Sequence, residues 1–125
     1  MKSLPPGKTG FIRFIMSFGY AIRGIVSIVI EQRNFRIHLF TAVIVVTAGF
    51  LCGLSLNEWC IIVFAIGLVL AMEAFNTVAE KLVDFISPEY HPMAGTIKDI
   101  AAGGVLITAI AALTAGLIIF IPKIT

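Results

Sequence analysis

Glu73, Asn76 and Glu80 stand at positions i, i+3 and i+7, and Asp84 follows four residues later. At about 100° per residue, such spacing lines all four along one helix face as a polar stripe. The stripe starts inside an apolar stretch, with Ala71-Met72 before Glu73 and Ala74-Phe75 after it. A carboxylate in such surroundings costs about 3 kcal/mol or more unless a partner or a water-filled cavity offsets it. An interfacial helix end, where polar residues mark the limit of lipid, accounts for Asp84 and for Glu80. It accounts poorly for Glu73, which therefore reads as a functional group able to accept a proton.

Two further polar clusters accompany the stripe. The segment Ser87 to Asp99 contains Pro88, Glu89, Tyr90, His91, Pro92, Gly95 and Lys98, and reads as a structured turn. Thr96 and Asp99 fit a capping box opening the next helix. Lys98 and Asp99 would then lie near a helix N-terminus, where backbone N–H groups favour anions such as phosphate. Capping and topology alone explain that pair equally well. Ala101 to Gly104 follows, and small residues there let a neighbouring helix approach closely. The other cluster, Glu31 to His38, reads as a basic membrane anchor, with His38 as a headgroup contact. No phosphate-binding glycine loop, dinucleotide fingerprint, nucleophile elbow or His/Cys metal cluster is present in the sequence.

The elements that carry these clusters follow from hydropathy. Of 125 residues, 59% are hydrophobic and 13% charged, against about 25% charged in an average soluble domain. The mean hydropathy is +1.05. The apolar residues gather in runs that give transmembrane spans at about 37–54, 59–80 and 101–121, each near the ~20 residues needed to cross hydrocarbon. The second run reaches that length only by taking Glu73 and Asn76 into or near the membrane, and its helix continues to about Phe85. Residues 11–32 differ, because Arg13 and Arg23 interrupt them and Gly10, Gly19 and Gly24 punctuate them. They read as an amphipathic helix on the membrane surface, with a fourth span as the other reading. The expected fold is therefore all-α and integral to the membrane, a single domain over 1–125. Lys2, Lys8, Arg13, Arg23, Arg33 and Arg36 precede the first span, and Lys81 and Lys98 flank the second connection. The positive-inside rule puts the N-terminus and that connection in the cytoplasm. Glu73 then lies toward the cytoplasmic end of its span. No signal peptide is evident in the first ten residues. Cys52 and Cys60 read as buried thiols. The net charge of +2 is too small to imply nucleic acid.

At these residues the sequence resembles the small prokaryotic diacylglycerol kinase family, which includes the undecaprenol kinases. The resemblance runs from Thr9-Gly10-Phe11 to about Ile110. It is carried by Arg33-Asn34-Phe35-Arg36-Ile37-His38, by Glu73-Ala74-Phe75-Asn76-Thr77-Val78-Ala79-Glu80, and by Glu89-Tyr90-His91 through Lys98-Asp99. It implies a surface helix plus three spans and a homotrimer with active sites shared between subunits. It also implies ATP- and Mg²⁺-dependent phosphorylation of a membrane lipid alcohol, diacylglycerol or undecaprenol, at the cytoplasmic face of the bacterial inner membrane. By matching position, Glu73 corresponds to the general base and Asn76 to a residue supporting it. Glu80 corresponds to a metal-binding carboxylate that also serves the nucleotide site. Arg13, Tyr20, Glu89, Tyr90, His91, Lys98 and Asp99 match nucleotide-contacting positions. The family's second metal-binding glutamate aligns with Gln32, a poorer Mg²⁺ ligand than a carboxylate. Neighbouring Glu31 is the alternative ligand at that position.

Two readings from other classes compete. A proton- or cation-coupled transporter subunit would also use a carboxylate within a span, placed near the bilayer midplane. A non-catalytic membrane scaffold would retain the fold without activity.

Overall fold

The computed structural model describes residues 10–125, so Lys2, Lys8, Thr9 and the expectation about a signal peptide lie outside the described residues. The described chain is all helical. Helix α1 spans Gly10–Glu31, α2 Arg33–Cys52, α3 Leu56–Ile86 and α4 Pro92–Ile124. All four are long and apolar enough to cross a bilayer. The chain divides into two units, one ending at Arg33 and one from Asn34 to Thr125.

In the first unit α1 buries none of its residues. The Arg23 guanidinium lies 5.7 Å from the centre of the Tyr20 ring, one turn before it. The helix stops at Glu31, and Gln32 is the non-helical residue before α2. Its N–H still donates to the Ile28 carbonyl at 2.8 Å.

The second unit is built by two turns. The first follows α2, where Gly53 adopts a φ of +69°, a left-handed conformation that favours glycine. The N–H groups of Gly53 and Leu54 close on the Gly49 carbonyl at 3.0 and 3.3 Å. A capping box then opens α3: Glu58 N–H donates to Ser55 Oγ, and Ser55 N–H donates to Glu58 Oε1. The second turn is shorter than the sequence suggests. His91 caps α4 by accepting the Met93 N–H at Nδ1 (3.0 Å), and Pro92 takes the first helical position. Thr96 is therefore not a cap. It lies inside α4, with Oγ1 donating to the Pro92 carbonyl. Lys98 and Asp99 sit in the second turn of the helix, not at its N-terminus.

Helix α2 starts four residues before its expected span and stops two short of its end. Helix α3 ends at Ile86, beside the expected limit near Phe85, and α4 overruns its span at both ends, for a physical reason. A charged side chain ends the apolar run, but backbone hydrogen bonding continues as far as the next turn residue. Helices α3 and α4 run antiparallel and form the closely packed pair. Lys98 Nζ meets Asp84 Oδ1 at 2.6 Å at one end of that pair, and Lys123 Nζ meets Glu58 Oε1 at 3.1 Å at the other. At 1.5 Å per residue Glu58 and Asp84 are roughly 39 Å apart along α3, close to the thickness of a bilayer with its headgroups.

Between these ends the surface is that of a membrane protein. Phe40, Leu51, Phe64, Phe75 and Phe85 are all exposed. Five hydrophobic residues are buried among those described, too few for a water-soluble core: Phe35, Ile62, Val69, Val83 and Ile119. Cys52 and Cys60 are free thiols, as expected, but neither is buried: Cys52 is half-buried and Cys60 lies exposed on a surface that faces lipid.

Helix α2 touches α3 closely beside the turn. A Cβ on Gly49 would stand 2.7 Å from Trp59 Cη2 and 3.0 Å from Leu54 Cδ1. The Trp59 ring also packs on Phe50, with centroids 4.8 Å apart. A Cβ on Gly104 would instead meet only Met72 Cε, at 2.8 Å, the mobile end of a flexible chain. The close approach allowed by Gly104 is thus used within the chain. Gly49→Ala is expected to destabilise the protein by about 1–3 kcal/mol through overpacking against the rigid indole. Gly104→Ala is expected to cost less. Thermal melts of both variants in one detergent check this, and an equal or reversed order would contradict it.

Candidate active site

Glu73 is 4% exposed and lies midway along α3, on the face it turns toward its neighbours. Its Oε1 lies 3.2 Å from Nε2 of His38 on α2. Thr77, one turn on, is equally buried and satisfies its hydroxyl on the Glu73 backbone carbonyl at 3.0 Å. By sequence alone His38 reads as a headgroup contact. The structure pairs it with the acid.

Asn76 does not support Glu73 directly. Its Nδ2 donates to Glu80 Oε1 at 3.2 Å. Its Oδ1 is buried and has no hydrogen-bond partner. An unpartnered buried amide oxygen is costly, by about 1–3 kcal/mol, and marks a place where a donor or a cation belongs. Glu80 is only half-buried, so the stripe passes from a buried carboxylate through a half-buried pair to the exposed Asp84–Lys98 ion pair. Glu89, Tyr90, His91 and Asp99 are exposed at the same end of the α3–α4 pair, and His91 spends Nδ1 on its helix cap.

The remaining site residues named from sequence belong to the first unit. Arg13 is exposed at the end of the first turn of α1 and Tyr20 is half-buried under Arg23. Glu31 is the last residue of α1, and Gln32 occupies the break that follows. Among the described residues no three His, Cys, Asp or Glu side chains cluster so as to hold a metal by themselves.

Below the His38–Glu73 contact a cavity of about 450 Å³ separates α2 from α3 and α4. Ile37, His38, Thr41 and Val45 line it from α2, Ile62, Ile66 and Val69 from α3, and Leu113, Leu117 and Phe120 from α4. The walls are almost wholly apolar, and His38 is the titratable side chain among them. Such a cavity suits a hydrocarbon chain whose polar end reaches the imidazole, with Glu73 next to it outside the lining.

Glu73 lies roughly 16 Å along the helix from Asp84 and roughly 22 Å from Glu58. The offset toward one end is smaller than its sequence surroundings imply. Depth alone therefore does not separate a kinase base from a transporter acid.

Comparison with known proteins does separate them. The profile of the prokaryotic diacylglycerol kinase family matches residues 19–120. The undecaprenol kinase of Bacillus subtilis is 43% identical over 112 residues, covering 90% of this chain and 91% of that protein. A diacylglycerol kinase of a Synechocystis species is 40% identical over 111 residues, covering 88% of this chain and 63% of that protein. The diacylglycerol kinase of Escherichia coli K12 is 30% identical over 104 residues, covering 83% and 85%.

Proposed function

The chain belongs to the prokaryotic diacylglycerol kinase family, and on that footing we propose that it transfers the γ-phosphoryl group of ATP to the hydroxyl of a membrane lipid alcohol. Diacylglycerol and undecaprenol are the two acceptor classes its relatives are named for. The observation that carries this reading is a buried carboxylate, Glu73, paired with His38 at the polar end of an apolar cavity. A lipid chain lying in that cavity brings its hydroxyl to the carboxylate without exposing hydrocarbon to water.

Phosphoryl transfer needs positioning, charge neutralisation and an acceptor for the hydroxyl proton. Glu73 takes the proton. Asn76 and Glu80 suit a divalent cation, since one carboxylate and one unpartnered amide oxygen match the sparse protein ligation that Mg²⁺ accepts beside substrate phosphates. When bound, the cation would neutralise phosphate charge. Lys98 exchanges Asp84 for a phosphate oxygen when nucleotide arrives. Arg13, Tyr20, Glu89, Tyr90, His91 and Asp99 contact the nucleotide, and Glu31 or Gln32 adds to the metal site. Helix α1 lies on the membrane surface, because Arg13 and Arg23 are costly within a span. The N-terminus and the active site face the cytoplasm across the inner membrane, and three copies assemble with sites shared between subunits.

ADP release by purified protein should rise only when a lipid alcohol is added. Alcohol-independent release, or none with either alcohol, would overturn the reading in favour of a transporter or a scaffold. Glu80→Ala should raise the Mg²⁺ concentration needed for half-maximal activity. Gln32→Glu should leave that concentration unchanged or lower it. A higher requirement in Gln32→Glu would place this side chain away from the metal.

A further inference from the structure

One half-buried group has no part yet in the proposed reaction, the imidazole of His38. We infer that His38 is a positioning residue, which holds one oxygen of Glu73 so that the other faces the acceptor hydroxyl. The inference rests on Glu73 being the base. A carboxylate only accepts hydrogen bonds, and the imidazole Nε2, 3.2 Å from Oε1, is placed to present a proton to it.

Nothing else on the helix does this work. Thr77 is committed to the backbone, and the Asn76 amide is turned to Glu80. A glutamate side chain has three rotatable bonds, and among the described residues His38 is the side chain paired with this carboxylate. The Glu73 side chain is 5% exposed and that of His38 26%, so the carboxylate is the more enclosed of the two and its first oxygen is held from α2. Bases that act on a hydroxyl are commonly oriented by a third group in this way.

In the reaction the acceptor O–H bond breaks and its proton passes to Glu73 Oε2. The acceptor oxygen bonds to the γ-phosphorus, the bond to the β–γ bridging oxygen breaks, and ADP leaves with that electron pair. His38 keeps its proton throughout.

The experiment measures kcat and the KM for ATP and for the lipid alcohol in His38→Ala, His38→Gln and Glu73→Gln, and in the His38→Ala/Glu73→Gln double variant. Melting curves confirm that each folds. His38→Ala should lower kcat about 10- to 100-fold, the span of a lost hydrogen bond to a charged group, with the KM for ATP unchanged. His38→Gln, whose amide can donate from nearly the same place, should recover most of that loss. In the Glu73→Gln background His38→Ala should have no further effect. Wild-type kcat in His38→Ala beside an inactive Glu73→Gln would overturn the inference and leave the base assignment standing. Equal losses in His38→Ala and His38→Gln, or an additive loss in the double variant, would overturn it too. An active Glu73→Gln would overturn the base assignment itself.

Discussion

Glu73→Gln should abolish lipid phosphorylation while leaving the fold and the assembly intact. The amide keeps the size of the side chain and can still hydrogen-bond to His38, but it cannot take a proton from the acceptor. Loss of a general base costs about 10²- to 10⁴-fold in rate. The variant should bind ATP normally, because Glu73 lies roughly 10 Å along α3 from Glu80 and farther from Lys98. Turnover near the wild-type rate in purified Glu73→Gln would refute the assignment.

Two inactive variants should restore activity to each other when mixed. A single copy has one closely packed helix pair, α3 with α4, and leaves most of its large apolar residues exposed. Lipid tails are as apolar as leucine, so the half-buried Asn76 and Glu80 gain nothing from facing them. A second copy covering that stripe would shield it and bring the basic N-terminal helix to the phosphates. Gly103 offers open space for such an approach, whereas Gly104 is occupied by Met72 of its own chain. If the base comes from one subunit and Arg13 from another, random one-to-one trimers of Glu73→Gln and Arg13→Ala should regain on the order of a quarter of wild-type activity. Sites contained within single chains would regain none. Inactivity in verified mixed trimers would count against sharing, and a fully active monomer in detergent would rule it out.

The four helices were legible because lipid imposes a simple rule: a crossing segment must be apolar for about 20 residues and satisfy its own backbone. Their ends were harder to read. The end of α3 at Ile86 falls beside the limit near Phe85 that the sequence indicates, but apolarity resumes only at Ala101 while α4 is helical from Pro92. The sign of the true start of α4 was Pro92, a residue suited to the first helical position. It was passed over because His91 is an unusual cap and Thr96 a common one. The stripe of Glu73, Asn76 and Glu80 was legible as a stripe, since one helix fixes its own periodicity. Partners across helices were not. Asn76 turns to Glu80 and not to Glu73, a choice between two rotamers that spacing cannot make. His38 and Glu73 lie on different helices, and their meeting depends on the register set by the Gly53–Ser55 turn. Roughly equal helical arms on either side of that turn were the available clue.

A membrane alcohol should receive the terminal phosphate of ATP at the Glu73 site. The most direct measurement incubates purified protein in lipid bicelles with Mg²⁺, γ-labelled ATP and either undecaprenol or diacylglycerol, and follows the label into the organic phase. The label should appear on at least one lipid as its monophosphate, in step with ADP. Label found only as inorganic phosphate, or no lipid product with either alcohol, would contradict the claim.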